Sequence, residues 1–157
     1  MDEFERLKNI VARLRAKDGC PWDRQQTHQS LKPECIEEAA EVICGINMLE
    51  ETGDAANLKE ELGDLLLQVV MHAQIAEEEG LFTMDDVCRG ISEKMIRRHP
   101  HVFNKEMVND AGEVITRWED IKKMEKAGKL PADSYLPAAF DEAKELIDVA
   151  KKRKGYF

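Results

Sequence analysis

The sequence predicts an all-α protein, most simply a helical bundle, and three observations support this fold class. Apolar residues recur at intervals of three and four residues along most of the chain, which is the period of amphipathic helices. Glycine or proline separates these periodic segments, as expected at helix ends. Aromatic residues make up only 6% of the chain, which leaves little to build β-hairpins from. The length of 157 residues fits one domain of ~150 residues.

Three long helices are predicted in the first half of the chain. The first covers residues 4–14, where charged residues separate the apolar ones, as on a surface helix. Residues 18–29 contain Gly, Pro and Thr without a period and are predicted to form an irregular connection. The second helix covers residues 33–51 and the third covers residues 55–79. The third helix is apolar almost all round between residues 62 and 76, so it is predicted to be central.

Three further helices are predicted in the second half of the chain. A fourth helix covers residues 84–98 and is stopped by Pro100. A fifth includes residues 114–124, where apolar residues again show helical spacing. Residues 127–137 contain Gly, two prolines and small polar residues, which are typical of a linker. A last amphipathic helix covers residues 138–154.

Composition excludes several classes of protein. The chain carries 23 Lys and Arg against 32 Asp and Glu, a net charge of −9, so it has no cationic field with which to coat nucleic acid. The longest apolar stretch, residues 65–76, is shorter than the ~18 residues of a membrane span, and the acidic N-terminus is unlike a secretory signal. We therefore expect a cytoplasmic protein with neither nucleic acid nor membrane as a partner. The cysteines lack a CxxC motif and are predicted to be reduced and mostly buried: Cys20, Cys35, Cys44 and Cys88.

Carboxylates at helical spacing are the first candidates for chemistry. Glu38 and Glu41 lie three residues apart on the second predicted helix and project from nearly the same face. In so acidic a chain, such a pair is usually a solvated face. The third helix is more informative, because its otherwise apolar middle carries a narrow polar stripe. Carboxylates there would be partly buried, and like charges held close need a cation or a proton to compensate them. The stripe consists of Asn57, Glu61, Asp64 and Gln68.

The two sets of carboxylates could face one another, because only a turn separates the two helices and makes them antiparallel neighbours. Four converging carboxylates without a thiolate form a hard oxygen site, which suits Mg²⁺ or Mn²⁺ rather than zinc. A di-iron bundle would need Glu-x-x-His pairs, and His72 is predicted to be a hydrogen-bonded core residue rather than a ligand. Because Mg²⁺ commonly binds substrate phosphates, such a site implies a phosphorylated substrate.

Basic and aromatic residues could contact such a substrate, although each has a simpler explanation. Lys94 and Arg98 share a face of the fourth helix and could bind phosphate, but basic residues also complement the dipole at a helix C-terminus. Trp118 and Lys122 could stack on a base and reach a phosphate, but a Trp at an apolar-stripe position belongs to the core by default. Trp22 lies in a predicted loop and has less reason to be structural.

A series of motifs between residues 7 and 123 is more specific than any of these patterns alone. The motifs are Cys20-Pro21-Trp22-Asp23, Gln26-Thr27-His28, Ser30-Leu31, Glu37-Glu38-x-x-Glu41, Glu60-Glu61-Leu62-Gly63-Asp64 and Arg97-Arg98-His99-Pro100-His101-Val102-Phe103. Together and in this order they resemble the MazG family of nucleoside triphosphate pyrophosphohydrolases. The resemblance implies a catalytic helical domain over residues 1–126, followed by a linker and C-terminal helix over residues 127–157. It also implies a dimer or dimer of dimers that uses Mg²⁺ to hydrolyse NTPs or dNTPs to the monophosphate and pyrophosphate.

The resemblance assigns roles to residues at matching positions. Glu37 matches the first acid of the family's EExxE motif and would orient a water or support the site. The implied metal-binding set is Glu38, Glu41, Glu61 and Asp64. The implied nucleotide contacts are Lys94, Arg98, Trp118, Lys122 and Trp22. Metal ions held by the carboxylates would bind the triphosphate and activate water for in-line attack at the α-phosphorus.

Three alternative functions remain open at this stage. A dUTP or phosphoribosyl-ATP pyrophosphohydrolase would share the carboxylate chemistry and differ in substrate. A regulatory module with a degenerate site would bind nucleotide without releasing pyrophosphate. A purely structural bundle would leave the polar stripe of the third helix unexplained.

Overall fold

A computed structural model describes residues 2–103 and 132–156, and every regular element within these ranges is helical. The predicted all-α class is therefore confirmed. A 3-10 turn over Ala132–Ser134 precedes the last helix. In the same two ranges, no helix is both long enough and apolar enough to cross a membrane. The α-helices are α1 (Glu3–Arg15), α2 (Pro21–Gln25), α3 (Lys32–Thr52), α4 (Ala56–Glu78), α5 (Met84–Arg98), α6 (Pro100–Phe103) and α7 (Leu136–Lys154).

Five of the predicted helices appear within two residues of their expected ends, as α1, α3, α4, α5 and α7. The expected irregular connection over residues 18–29 is wrong in part, because α2 forms inside it. Pro21 occupies the first turn of α2, where the missing N–H of proline costs no hydrogen bond. Pro100 follows the end of α5, as predicted, and itself begins α6. The predicted fifth helix over residues 114–124 lies outside the described residues.

Local chemistry explains where the long helices begin and end. Asp2 precedes α1, and its Oδ1 atom accepts a hydrogen bond from the Glu5 N–H at 2.8 Å. Pro33 lies in the first turn of α3. Gly53 ends α3 with φ of 75°, a left-handed conformation that glycine adopts without strain, and its N–H donates to the Leu49 carbonyl at 2.9 Å.

The chain divides into two compact units, residues 1–84 with 138–157 and residues 85–137. In the first unit α3 packs along α4, and α1 packs against both α4 and α2. The second half of α4 is buried, as predicted for a central helix, whereas Leu62 and Leu66 in its first half are exposed. The buried apolar side chains of this unit are Val11, Leu31, Val70, Met71, Ala73, Ile75, Ala76 and Met84.

A close approach of backbones at Gly45 sets the packing of α3 on α4. A Cβ atom at Gly45 would lie 2.7 Å from the Leu58 Cα and 3.2 Å from the Asn57 Oδ1. Nearer the start of α3, the Cys35 Sγ lies 3.2 Å from the Nε2 of His72, which is late in α4. The two helices therefore run antiparallel, in close contact at a position where only glycine fits.

Arg15 connects α1, α4 and the segment that contains α2. Its side chain is only 5% exposed, and its Nε and Nη2 atoms donate to the two carboxylate oxygens of Glu78 at 2.9 and 2.8 Å. Its Nη1 atom donates to the carbonyl oxygens of Asp23 and Gln26 at 2.5 and 3.1 Å. The hydrogen bonds from Arg15 hold the pKa of Glu78 below its ordinary value. One guanidinium thus fixes the segment between α1 and α3 against the core.

The four cysteines are free, which agrees with the expectation of reduced thiols. The expectation that most of them are buried is wrong. Cys44 is exposed, and Cys20, Cys35 and Cys88 are half-buried. Cys44 is accessible because it lines an open cavity between α3, α4 and α7.

We expect Gly45→Ala to lower the free energy of unfolding by about 1–3 kcal/mol, because the added methyl group overpacks the crossing with Leu58. Urea denaturation followed by circular dichroism measures the change. Gly63→Ala is the matched control, since a Cβ there meets no atom within 4 Å. It should stabilise α4 by about 0.5–1 kcal/mol. Equal effects of the two substitutions would contradict the role given to Gly45.

Candidate functional site

Three of the four predicted metal-binding carboxylates converge between α3 and α4. Glu38 comes from α3, whereas Glu61 and Asp64 come from α4, and one oxygen atom of each lies within 4.8 Å of the other two. The spacing of three residues puts Glu61 and Asp64 on one face of α4. The antiparallel packing brings Glu38 opposite them. We call these three residues the carboxylate cluster.

Glu38 is the acid of the cluster whose ionised form is disfavoured by its surroundings. Burial raises the pKa of Glu38 above its ordinary value, and the charges of Asp64, Glu34 and Glu61 raise it further. The Oε2 atom of Glu38 is buried and has no hydrogen-bond partner among the described residues. A buried carboxylate oxygen without a donor is costly, and a bound cation would satisfy it.

Two further residues of the polar stripe on α4, Asn57 and Gln68, also have a buried oxygen atom. The Asn57 Nδ2 donates to the Glu61 Oε1 at 2.7 Å, which orients that carboxylate. The Asn57 Oδ1 and the Gln68 Oε1 are buried, and neither has a hydrogen-bond partner within the part of the chain that the structure describes. Gln68 is one of the few buried polar residues of the first unit. The stripe is therefore partly buried rather than a fully solvated face.

The two remaining acids of the predicted site, Glu37 and Glu41, contact basic residues at the end of α7. Glu37 is buried, and its carboxylate contacts both Arg153 and Lys154. The Lys154 Nζ lies 2.8 Å from the Glu37 Oε1 and also contacts the Glu41 Oε1. The hydrogen bond from Lys154, aided by Arg153, holds the pKa of Glu37 below its ordinary value despite burial. Glu41 is thus close to the site but bound to a lysine rather than included in the carboxylate cluster.

A cavity of about 340 Å³ opens beside these acids, between α3, α4 and α7. Its lining combines the acids Glu41 and Glu61 with the amine of Lys154 and the apolar side chains of Met48 and Ile147. Mixed linings of this kind and cavities of this size are typical of small-molecule sites.

The predicted nucleotide contacts have different outcomes. Trp22 lies on α2 and is 79% exposed, so it is not part of the core formed by the described residues. Lys94 and Arg98 lie on α5, in the second unit, four residues apart on one helical face. Trp118 and Lys122 lie outside the described residues.

His72 is a hydrogen-bonded residue, as predicted. Its ring stacks on that of His28, with the two Nδ1 atoms 2.7 Å apart, and its Nε2 faces the Cys35 thiol. Burial, followed by the charge of His28, lowers the pKa of His72 below its ordinary value. The histidine of the Gln-Thr-His motif therefore holds the segment before α3 against α4.

Sequence reasoning missed the basic end of α7. Arg153 and Lys154 belong to a run of four basic residues in the last turn of that helix. Such a run is ordinarily explained by the helix dipole. Only the ion pairs between α7 and α3 show that two of the four reach acids of the site.

The carboxylate cluster has the donor set of a hard divalent cation. It offers three oxygen ligands, a buried oxygen without a partner and no sulfur or imidazole ligand. These features fit Mg²⁺ or Mn²⁺ and do not fit a structural zinc ion.

Glu38→Gln should stabilise the protein in EDTA by about 1 kcal/mol, which is about 2–4 °C in Tm, because the amide removes a buried charge beside two carboxylates. We expect Mn²⁺ to raise the Tm of the unsubstituted protein but not that of Glu38→Gln. Folding raises the pKa of Glu38, so the ionised Glu38 side chain lowers the stability of the unsubstituted protein at pH values above its folded-state pKa. This loss of stability is relieved as the pH falls through the folded-state pKa. The difference in Tm between Glu38→Gln and the unsubstituted protein should therefore become smaller at acid pH. Glu50→Gln, an exposed acid on α3, is the control, and a less stable Glu38→Gln protein in EDTA would contradict the expectation.

Comparison with known proteins identifies a domain family within the chain. The model of the MazG nucleotide pyrophosphohydrolase domain matches residues 26–103. That stretch contains α3, α4 and α5, and with them the whole carboxylate cluster.

Relatives of the chain support the same family. The nucleoside triphosphate pyrophosphohydrolase/pyrophosphatase MazG of Thermotoga maritima is 54% identical over 126 residues, 80% of this chain and 46% of the relative. The nucleoside triphosphate pyrophosphohydrolase of Escherichia coli (strain K12) is 46% identical over 130 residues, 82% of this chain and 48% of the relative. The uncharacterized protein YabN of Bacillus subtilis is 56% identical over 124 residues, 79% of this chain and 24% of the relative. The chain thus spans about a quarter to about half the length of these relatives. With the matched domain, these similarities show that the chain belongs to the MazG family of nucleotide pyrophosphohydrolases.

Proposed function

We propose that the chain is a nucleoside triphosphate pyrophosphohydrolase that depends on Mg²⁺, with Mn²⁺ as a possible substitute. The observation that carries this proposal is the carboxylate cluster, with its unpartnered Glu38 oxygen, inside a matched MazG domain. The substrate class is the one that the names of the Thermotoga and Escherichia relatives print. The proposal assigns hydrolysis of the α–β phosphoanhydride bond of NTPs or dNTPs.

We assign Glu38, Glu61 and Asp64 as metal ligands, with Glu41 as a fourth. Bound Mg²⁺ would supply charge neutralisation for the triphosphate and activation of a water molecule. The orientation of Glu61 by Asn57 supports its role, because a ligand held by a second hydrogen bond binds in one geometry. Glu37 is already occupied by Arg153 and Lys154, which suits a supporting residue better than a direct ligand.

The reaction is a single displacement. The oxygen of water attacks the α-phosphorus, the bond from that phosphorus to the bridging oxygen breaks, and pyrophosphate leaves with the nucleoside monophosphate as the second product. The proton of the attacking water passes to solvent or to a carboxylate of the site. Lys94 and Arg98 remain our proposed phosphate contacts, and Trp22, Trp118 and Lys122 remain proposed contacts for the nucleoside or its phosphates.

We also propose that the chain associates with a second copy of itself, as a dimer or a dimer of dimers. Apolar side chains stand exposed along the same pair of helices that holds the site. A surplus apolar face on a small bundle is commonly buried against another copy. The exposed residues are Ile43 and Ile46 on α3 and Leu62, Leu66 and Val69 on α4.

Size-exclusion chromatography with light scattering should give at least twice the mass of the chain. Leu62→Glu/Leu66→Glu should shift the protein toward the monomer, because the two charges would be buried in the interface. Leu81→Glu, at an exposed leucine beyond the end of α4, is the control and should leave the mass unchanged. A stable monomer before any substitution would refute self-association.

We propose that the protein is located in the cytoplasm. Its four cysteines are free, and free cysteines are typical of proteins in this reducing compartment. The proposal includes neither nucleic acid nor membrane as a partner.

Pyrophosphate release from each of the eight common NTPs and dNTPs tests the activity. We expect release with Mg²⁺, none with EDTA, and a loss of at least about 100-fold in Glu41→Ala/Asp64→Ala. Glu50→Ala/Glu77→Ala removes two exposed acids from the same helices and should retain the activity.

The outcome of the panel also separates the alternatives. Release confined to dUTP or to phosphoribosyl-ATP, tested beside the panel, would identify a specialised enzyme. Nucleotide binding without release would identify a regulatory module, and release that survives in Glu41→Ala/Asp64→Ala would contradict the assigned ligands.

A further inference from the structure

The basic end of α7, which consists of Arg153 and Lys154, reaches across to acids of α3. Lys154 contacts Glu37 and Glu41 at once, and Arg153 contacts Glu37. The Arg153 Nη1 also lies 4.0 Å from the Glu34 Oε1. These contacts join residues that are more than 110 positions apart in sequence, so they are tertiary contacts rather than local pairs along one helix.

The helix dipole does not account for these contacts. Four basic residues end α7, and a dipole effect would act on all of them alike. Lys152 and Lys154 are both exposed residues, but the Lys154 side chain is only 33% exposed because its amine lies between two carboxylates. Both acids accept from the Lys154 amine, which holds it in this position.

The acids of the site are compensated in two different ways. Glu38, Glu61 and Asp64 lie close together, and one oxygen of Glu38 has no partner in the part of the chain that the structure describes. Glu37 and Glu41 are satisfied by cations of the chain itself. Among the contacts of the described residues, Glu41 is the one assigned metal ligand that is paired with a cationic side chain. A divalent cation that uses Glu41 must therefore share this carboxylate with Lys154 or displace it.

We propose that Lys154 is a tethered cation that competes with the divalent metal for Glu41, so that the end of α7 controls metal loading of the site. This inference rests on the proposed function, since it assumes that Glu41 is a metal ligand. An amine held beside Glu41 by its own helix acts at a high effective concentration and needs no partner molecule. Binding of the metal would release the amine from Glu41, while Arg153 keeps Glu37 neutralised.

Mn²⁺ binding to the full chain without nucleotide tests the competition, by calorimetry or by the electron paramagnetic resonance of free Mn²⁺. Lys154→Gln removes the charge and should tighten Mn²⁺ binding about three- to tenfold at 0.1 M salt, because a unit charge no longer opposes the dication. Lys154→Arg keeps a cation and should stay near the original affinity. Lys152→Gln makes the same charge change on the exposed side of α7 and should have a much smaller effect.

The outcomes separate this inference from the proposed function. Mn²⁺ binding that Lys154→Gln leaves unchanged or weakens would overturn the competition and leave the metal site intact. Equal tightening by Lys152→Gln and Lys154→Gln would also overturn it, because the effect would be one of net charge. An absence of Mn²⁺ binding in every protein would refute the metal site itself, and with it this inference.

Hydrogen exchange of the unsubstituted chain gives a second test that does not depend on a variant folding. Displacement of Lys154 should speed exchange of the amides in residues 148–156 when Mn²⁺ is added, since the last turns of α7 lose their anchor on α3. Unchanged or slower exchange there, at Mn²⁺ concentrations that saturate the site, would overturn displacement.

Discussion

The close crossing of α3 and α4 at Gly45 is the constraint on which the site depends. Because a Cβ at that position would lie 2.7 Å from the Leu58 Cα, the two backbones can approach only where the side chain is absent. This contact fixes the antiparallel packing of the two helices. Glu38 consequently faces Asp64 and Glu61, and Cys35 faces His72. A wider crossing would leave the same acids on two helices without bringing them into one site.

In the first unit, the residues that stabilise the fold and the acids of the site lie in different halves of α4. The second half of α4 is buried against α1 and the segment before α3, where Arg15 binds Glu78 and two backbone carbonyls. The first half holds the acids and the partly exposed leucines. Unpartnered polar oxygens along the stripe lower stability, and the apolar half compensates for them. Sites that bring like charges together commonly lower the stability of the folded protein, and the same charges bind the ligand.

Much of this arrangement follows from the sequence, because helical period and helix-end residues are local signals. They predicted α1, α3, α4, α5 and α7 to within two residues, and the polar stripe on α4 indicated the cluster. The short helix α2 was missed because five residues carry too little periodicity. The role of Gly45 was missed because close approach depends on the neighbouring helix. The contacts of Arg153 and Lys154 were missed for the same reason. The sequence of a basic last turn does not show whether its side chains contact solvent or the acids of another helix.

The charge balance of the site shows why its acids cannot be understood from α3 and α4 alone. Burial favours the neutral form of a carboxylic acid, and Glu38 follows this rule with a raised pKa. Glu37 lies one residue away and is also buried, yet its pKa is lowered. The difference comes from α7, whose two cations reach Glu37 but do not satisfy Glu38. Helix α7 thus supplies the charge that compensates Glu37 and leaves a buried oxygen of Glu38 without a partner among the described residues, so the two neighbouring acids differ in what compensates their charge.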